Sequence, residues 1–135
     1  MSPTPISFSI LVYGAPYSSQ SVSTAYRFTK TAIEKGHRIH RVFFYGDAVQ
    51  IGSRLVAVPQ DEVDLQLKWQ QLGEQYQLDM VICIAAALKR GIINSDEAKR
   101  FEKDASNLAE GFTLSGLGQM IDATQSSDRI VTFGY

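Results

Sequence analysis

The 135-residue chain is predicted to form an α/β domain, an open and mostly parallel sheet with helices on both faces. Three observations carry that reading. Short apolar, β-rich runs alternate with amphipathic segments in the order β-α-β-α-β-α-α-β, the pattern of a sheet layered with helices. The first strand, helix and second strand span about 40 residues, enough for one right-handed βαβ crossover. The third apolar run is unbroken, as a strand covered on both sides requires.

Taken in order, Ile6 to Tyr13 is apolar and ends at Gly14-Ala15-Pro16, so it is predicted to be a buried first strand. Ser18, Ser19 and Ser21 offer N-caps to a helix. Val22, Ala25, Tyr26, Thr29, Ala32 and Ile33 form its inner stripe, and Gly36 suits its C-terminal cap. Phe28 falls off that stripe and hints at a partner surface. Ile39 to Tyr45 is the second strand, stopped by Gly46-Asp47. Ala48 to Pro59 reads as a loop with one short helical turn. From Asp61, the residues Leu65, Trp69, Leu72 and Tyr76 line one helical face. Asp79 to Ala85 is the third strand, and Ala86 to Ile92 a turn or helical start. Ser95 caps a helix with Asp96 and Glu97 in its first turn, where they suit the helix dipole. Ala98, Phe101, Ala105 and Leu108 are its expected inner face. Thr113 is expected to cap another helix with Leu114, Leu117 and Ile121 inward, and Arg129 to Phe133 forms the last strand. No repeat or linker divides the chain, so a single domain over 1–135 is expected.

Composition narrows the function classes. The formal net charge is −1, with 13 basic and 14 acidic residues dispersed along the chain, which argues against a large nucleic-acid surface. With one cysteine no internal disulfide forms, which favours a reducing compartment. Met1 to Ile6 lacks a basic segment followed by an apolar run, so no signal peptide is expected. No apolar stretch approaches a membrane span of about 20 residues. A cytoplasmic protein with no membrane contact is the expectation.

Cys83 is the first candidate for chemistry. It lies near the C-terminal end of the third strand, and active groups of open α/β sheets gather beyond the C-terminal ends of strands. A following helix start, Lys89 and Arg90 would favour its thiolate. The competing reading is a small core residue, because free cysteine is among the most buried types. His37 and His40 flank the start of the second strand, opposite that site, and make neither a metal set nor a Cys-His pair with Cys83. No metal or cofactor is expected. Gly14 to Ser21 occupies a phosphate-loop position but matches neither GxGxxG nor GxxxxGK[ST]. It reads as a polar loop and helix cap that helps to shape the surroundings of Cys83. Asp61, Glu62 and Asp64 are explained by capping and the dipole. Gly116 and Gly118 cost about 1 kcal/mol each inside a helix, which close packing at a subunit interface, or a loop, would explain.

The run Ile82-Cys83-Ile84-Ala85-Ala86-Ala87-Leu88-Lys89-Arg90-Gly91 resembles the cysteine segment of the DsrE/TusD family. Gly14-Ala15-Pro16-Tyr17, Gly36-His37, Val42-Phe43-Phe44-Tyr45, Trp69-Gln70-Gln71-Leu72 and Ser106-Asn107-Leu108 agree in order and spacing. So do Gly111-Phe112-Thr113-Leu114-Ser115-Gly116-Leu117-Gly118 and Asp128-Arg129-Ile130-Val131. The resemblance covers nearly the whole chain; only a short N-terminal segment and Gly134-Tyr135 depart from it. It implies a sulfurtransferase subunit whose acceptor cysteine is Cys83, carrying sulfur as a persulfide. It further implies TusB-like and TusC-like partners in a dimer of heterotrimers, a TusA-like donor and a TusE-like acceptor. The sulfur would end in the 2-thio group of a tRNA wobble uridine, with no stable tRNA contact by this chain. The alternatives are a DsrE-type subunit of a DsrEFH sulfur-oxidation complex, a non-catalytic structural subunit, and a nucleotide-binding flavodoxin-like module.

Overall fold

The computed structural model describes residues 4–134. Met1, Ser2, Pro3 and Tyr135 lie outside the described residues, and with them part of the expectations for the two termini. The elements are β1 (Ser7–Val12), α1 (Ser21–Glu34), β2 (Arg38–Phe44), a 3-10 helix (Gly46–Gly52), α2 (Leu65–Tyr76), β3 (Met80–Cys83), α3 (Ile84–Lys89), α4 (Ser95–Arg100), β4 (Phe112–Ser115), α5 (Gly118–Ser126) and β5 (Arg129–Phe133). One five-stranded sheet in the order β4-β3-β2-β1-β5 joins them. Every strand pairing is parallel. Among the described residues, no helix is long and apolar enough to cross a membrane.

The sheet is covered on two faces, and alternation along β1 shows which helix takes which. Phe8 stacks edge-on against Phe28 of α1 at 5.3 Å. The next residue, Ser9, turns the other way and its hydroxyl meets that of Ser127, just past α5. Arg41 of β2 likewise reaches α5, bonding the Gln119 carbonyl and Asp122. Phe44 instead packs on Trp69 of α2 at 5.3 Å. Right-handed crossovers give the same result, since the chain moves one way across the sheet after β1 and the other way from β4 to β5. Thus α1 and α2 share one face and α5 lies on the other.

Helix ends follow local chemistry. Gly36, at φ 91°, closes α1, with the N–H groups of Gly36 and His37 bonding the carbonyls of Ile33 and Ala32, the paired pattern of a Schellman stop. The N-cap of α1 is Gln20, which makes no side-chain cap bond; the expected serine caps are not used. Ser19 Oγ instead bonds the Ala15 carbonyl and Ser21 Oγ. Asp64 caps α2 by accepting from the Leu67 N–H at 3.1 Å.

Three stretches differ from expectation. The third strand ends at Cys83 and not at Ala85, because Ile84 and Ala85 already form the first turn of α3. α4 ends at Arg100, because Glu102 adopts φ 55° and the Lys103 N–H bonds the Ala98 carbonyl. The chain turns there, so Phe101 is 52% exposed and Ala105 is exposed rather than inward. Residues 112–115 form a strand where a helix cap was expected. Period-2 alternation places Phe112 in the core against Phe44 and leaves Thr113 outward. The helix after it starts at Gly118, and its Ile121 is 55% exposed, as Leu117 before it is 46% exposed. Phe28 is half-buried between Phe8 and Phe133, so it belongs to the core and not to a partner surface.

Candidate functional site

Cys83 is the last residue of β3 and the N-cap residue of α3, with no loop between strand and helix. The apolar sequence dictates both halves. Met80 to Cys83 is fully buried between β2 and β4, and Ala86 and Ala87 let α3 pack closely against the core. Cys83 pairs in register with Ser115 of β4. Its side chain makes no capping hydrogen bond, so the sulfur is not committed to the backbone.

Cys83 is 4% exposed and lines a cavity of about 320 Å³. Access to the sulfur is therefore by way of that cavity. Its walls come from Tyr45 and Gly46 after β2, from Cys83, Ala86, Lys89 and Arg90 on the β3–α3 segment, and from Gly116 and Leu117 after β4. Three parallel strands thus deliver their C-terminal ends to one hollow. It lies over β2, β3 and β4, away from the β1/β5 position where the strand order reverses.

The two basic residues differ. Arg90 Nε donates to Asp47 Oδ1 at 2.9 Å and its Nη1 to the Ala86 carbonyl at 3.0 Å. Its position is fixed and its charge is offset. Lys89 is exposed and has no ion-pair partner among the described residues. It stands on the wall of the same cavity as Cys83.

Other expected residues fall elsewhere. The Gly14 to Ser21 loop does not line this cavity, and Gly14 is packed against Ser19 and Ser21, where a Cβ would meet Ser21 Oγ at 2.1 Å. His37 accepts the Ile6 N–H through Nδ1 at 3.2 Å. His40 faces Asp122 at 3.4 Å, beside the Arg41–Asp122 and Arg41–Asp79 ion pairs, both at 2.8 Å. Among the described residues no three His, Cys, Asp or Glu side chains converge as a metal set. Sequence reasoning missed Tyr45, Gly46 and Leu117 as cavity walls. The signal was their place directly after parallel strands, which is visible only once β4 is recognised.

Comparison with known proteins agrees with the fold. The DsrE/DsrF-like family model matches residues 7–133. The chain is 48% identical to a putative sulfurtransferase DsrE of Allochromatium vinosum, over 94% of this chain and 98% of the relative. It is 46% identical to a sulfurtransferase TusD homolog of Pseudomonas aeruginosa, over 94% and 96%, and 42% identical to sulfurtransferase TusD of Photorhabdus laumondii, over 95% and 98%. The crystal structure of the ychN protein from E. coli shares the fold, with a TM-score of 0.76, 22% identity, and 95% and 99% of the two chains covered. A match spanning the whole sheet, with relatives that align nearly end to end, leads to one conclusion: the chain belongs to the DsrE/DsrF-like family.

Proposed function

We propose that this protein is a sulfurtransferase subunit that accepts sulfur on Cys83 as a persulfide and passes it on. The observation that carries the reading is Cys83 itself, at a strand–helix junction on the wall of a hollow that Lys89 also lines. Relatives named sulfurtransferase support the class of reaction.

The step needs little machinery. The Cys83 thiolate attacks the outer sulfur of a donor persulfide. A new S–S bond forms to Cys83, the donor S–S bond breaks, and its electron pair leaves on the donor sulfur as a thiolate. Lys89 offsets the anion that moves between the two sulfurs. The next carrier's thiolate then attacks the outer sulfur of the Cys83 persulfide and restores the Cys83 thiolate. A single cysteine suits this role, because a neighbouring thiol would discharge the persulfide by closing a disulfide.

The same reading extends to a cytoplasmic relay in which a single domain over 1–135 works with TusB-like and TusC-like subunits. A TusA-like donor supplies the sulfur, and a TusE-like acceptor carries it towards the 2-thio group of a tRNA wobble uridine. Leu117 and Ile121 support a partner surface, being large apolar side chains left 46% and 55% exposed. Around Gly116 and Gly118 a Cβ would meet nothing within 4 Å, so this chain alone does not require glycine there. A DsrE-type role in a sulfur-oxidation complex is the second reading, favoured by the relative at 48% identity.

The test is intact-protein mass spectrometry after incubation with a persulfide-loaded TusA-like protein. Wild type gains about 32 Da, one reversibly bound sulfur, and Cys83→Ser gains nothing. Wild type that stays unmodified in its assembled form sinks the relay reading and leaves a structural subunit.

A further inference from the structure

Cys83 does not stand alone at the end of its strand. It is in register with Ser115 of parallel β4, so their Cα atoms lie about one strand spacing apart, roughly 4.8 Å. Registered residues of a parallel pair share a face of the sheet. Phe44 packs on Trp69 of α2, so Phe43 before it takes the α5 face, and Val81 in register with Phe43 does the same. Two residues further on, Cys83 and its neighbour Ser115 return to that face. Gly116 and Leu117, which follow Ser115, form one wall of the Cys83 hollow. The hydroxyls of Ser7, Ser9, Ser19 and Ser21 are all engaged within the chain. Half-buried Ser115 has no hydrogen-bond partner for its hydroxyl among the described residues, and the Cys83 sulfur has none either. A neutral thiol is a weak acceptor, so no bond between the two is expected before ionisation. An anionic sulfur is a better acceptor, because hydrogen bonds to ionised groups are the stronger kind. Rotation about one staggered torsion turns the Ser115 Oγ towards β3.

Resting on the persulfide reading of Cys83, we propose that Ser115 belongs to the site: its hydroxyl donates a hydrogen bond to the Cys83 sulfur whenever that sulfur is anionic. It donates to the thiolate that attacks the donor and, after loading, to the persulfide. Ser115 keeps its proton throughout and makes no covalent bond. A hydrogen bond to the charged form favours that form, and this one also fixes the direction of the sulfur relative to β4. The titratable side chains lining the hollow besides Cys83 are Tyr45 after β2 and Lys89 and Arg90 of α3, with Arg90 tied to Asp47 of the 3-10 helix. The segment from Ser115 to Ile121 carries no titratable side chain. Removing the Ser115 hydroxyl therefore leaves every charge around Cys83 in place.

The experiment uses the full chain, purified with whatever subunits accompany it, as wild type, Ser115→Ala and Ser115→Thr. Alkylation of Cys83 by uncharged iodoacetamide is followed from acid to alkaline pH. Sulfur gain from inorganic polysulfide at pH 7 is followed by mass spectrometry. Ser115→Ala keeps the Cβ and removes one oxygen, whereas Ser115→Thr keeps the hydroxyl on a side chain that suits a strand. In Ser115→Ala the alkylation profile is expected to move to higher pH. Its rate at pH 7 should fall by about fivefold or more, the scale of one hydrogen bond to a charged group, with an alkaline plateau no lower than that of wild type. Sulfur gain at pH 7 should fall with it, and Ser115→Thr should restore both. Profiles that superimpose for wild type and Ser115→Ala overturn the inference. So does a change of equal factor at every pH, which reports altered access to Cys83, or a Ser115→Thr profile that matches Ser115→Ala. Wild type that takes up no sulfur removes the persulfide reading itself, and this inference with it.

Discussion

Replacing Trp69 tests the scaffold behind the Cys83 hollow. Trp69 is fully buried on α2 and meets Phe44 of β2 edge-on at 5.3 Å and Tyr26 of α1 at 5.6 Å. Its indole N–H points at the Val22 carbonyl at 3.4 Å, too long to contribute much. Ring packing therefore dominates. Trp69→Ala removes a large buried ring and two edge-to-face pairs, an expected loss of about 4–5 kcal/mol. Trp69→Phe keeps an aromatic ring in place and loses part of the volume and a weak hydrogen bond, an expected loss of about 1–2 kcal/mol. Urea unfolding reads both values from the transition midpoint, provided the slope is unchanged. Phe44 leads directly into Tyr45 and Gly46 of the Cys83 hollow. Alkylation of Cys83 is therefore expected to quicken in Trp69→Ala and to change little in Trp69→Phe. Equal losses for the two variants would refute the packing argument and assign the stability to the N–H bond. A loss below about 1.5 kcal/mol for the alanine variant would refute the central place given to this ring.

Other expectations follow from the same structure. Gln77 ends α2 in a left-handed conformation at φ 53°, so Gln77→Gly should raise stability by up to about 1 kcal/mol in urea unfolding. A Cβ on Gly52 would meet Ile82 Cδ1 at 2.3 Å and Leu108 Cδ1 at 3.2 Å; with Ile82 fully buried, Gly52→Ala should cost about 1–3 kcal/mol by overpacking. Hydrogen bonds from Arg41 and then His40 hold the Asp122 carboxyl below its ordinary value. A depressed folded-state pKa contributes stability above the unfolded carboxyl's value and loses it as pH falls through the lower one. The difference in urea midpoint between wild type and Asp122→Asn should be present at pH 6 and shrink as pH falls below the ordinary carboxyl value of about 3.9. Asp47→Ala frees Arg90 from its ion pair. For a pair this exposed the stability cost should stay under about 1 kcal/mol, while Cys83 alkylation at pH 7 should accelerate as an acid is removed from an arginine on the wall of the same cavity.

Periodicity made most of the sheet legible, because β1, β2 and β3 are apolar runs bounded by turn residues. β4 was hidden. Its alternation of Phe112, Thr113, Leu114 and Ser115 lasts four residues and borders Gly116 and Gly118, so a threonine cap looked equally plausible. The true end of α4 was hidden for another reason: Glu102 takes a left-handed conformation that glycine usually marks. Cys83 was readable because strand end, helix start and basic residues are contiguous in sequence. The rest of its hollow comes from residues after β2 and β4, which only the strand order brings together. Leu117 and Ile121 carry a helical apolar spacing that in this chain alone does not point inward.

No residue connects β3 and α3, which bears on the proposed sulfur relay. A cysteine on a flexible tail acts as a swinging arm, visiting donor and acceptor in turn. Here the sulfur is anchored between a buried strand and a helix, a stationary platform with a single approach. If Cys83 carries sulfur as proposed, cargo reaches it and leaves it through partners that arrive one after the other at the same opening. Throughput is then set by how quickly one carrier vacates that opening for the next, and an excess of either carrier should slow the relay by occupying it.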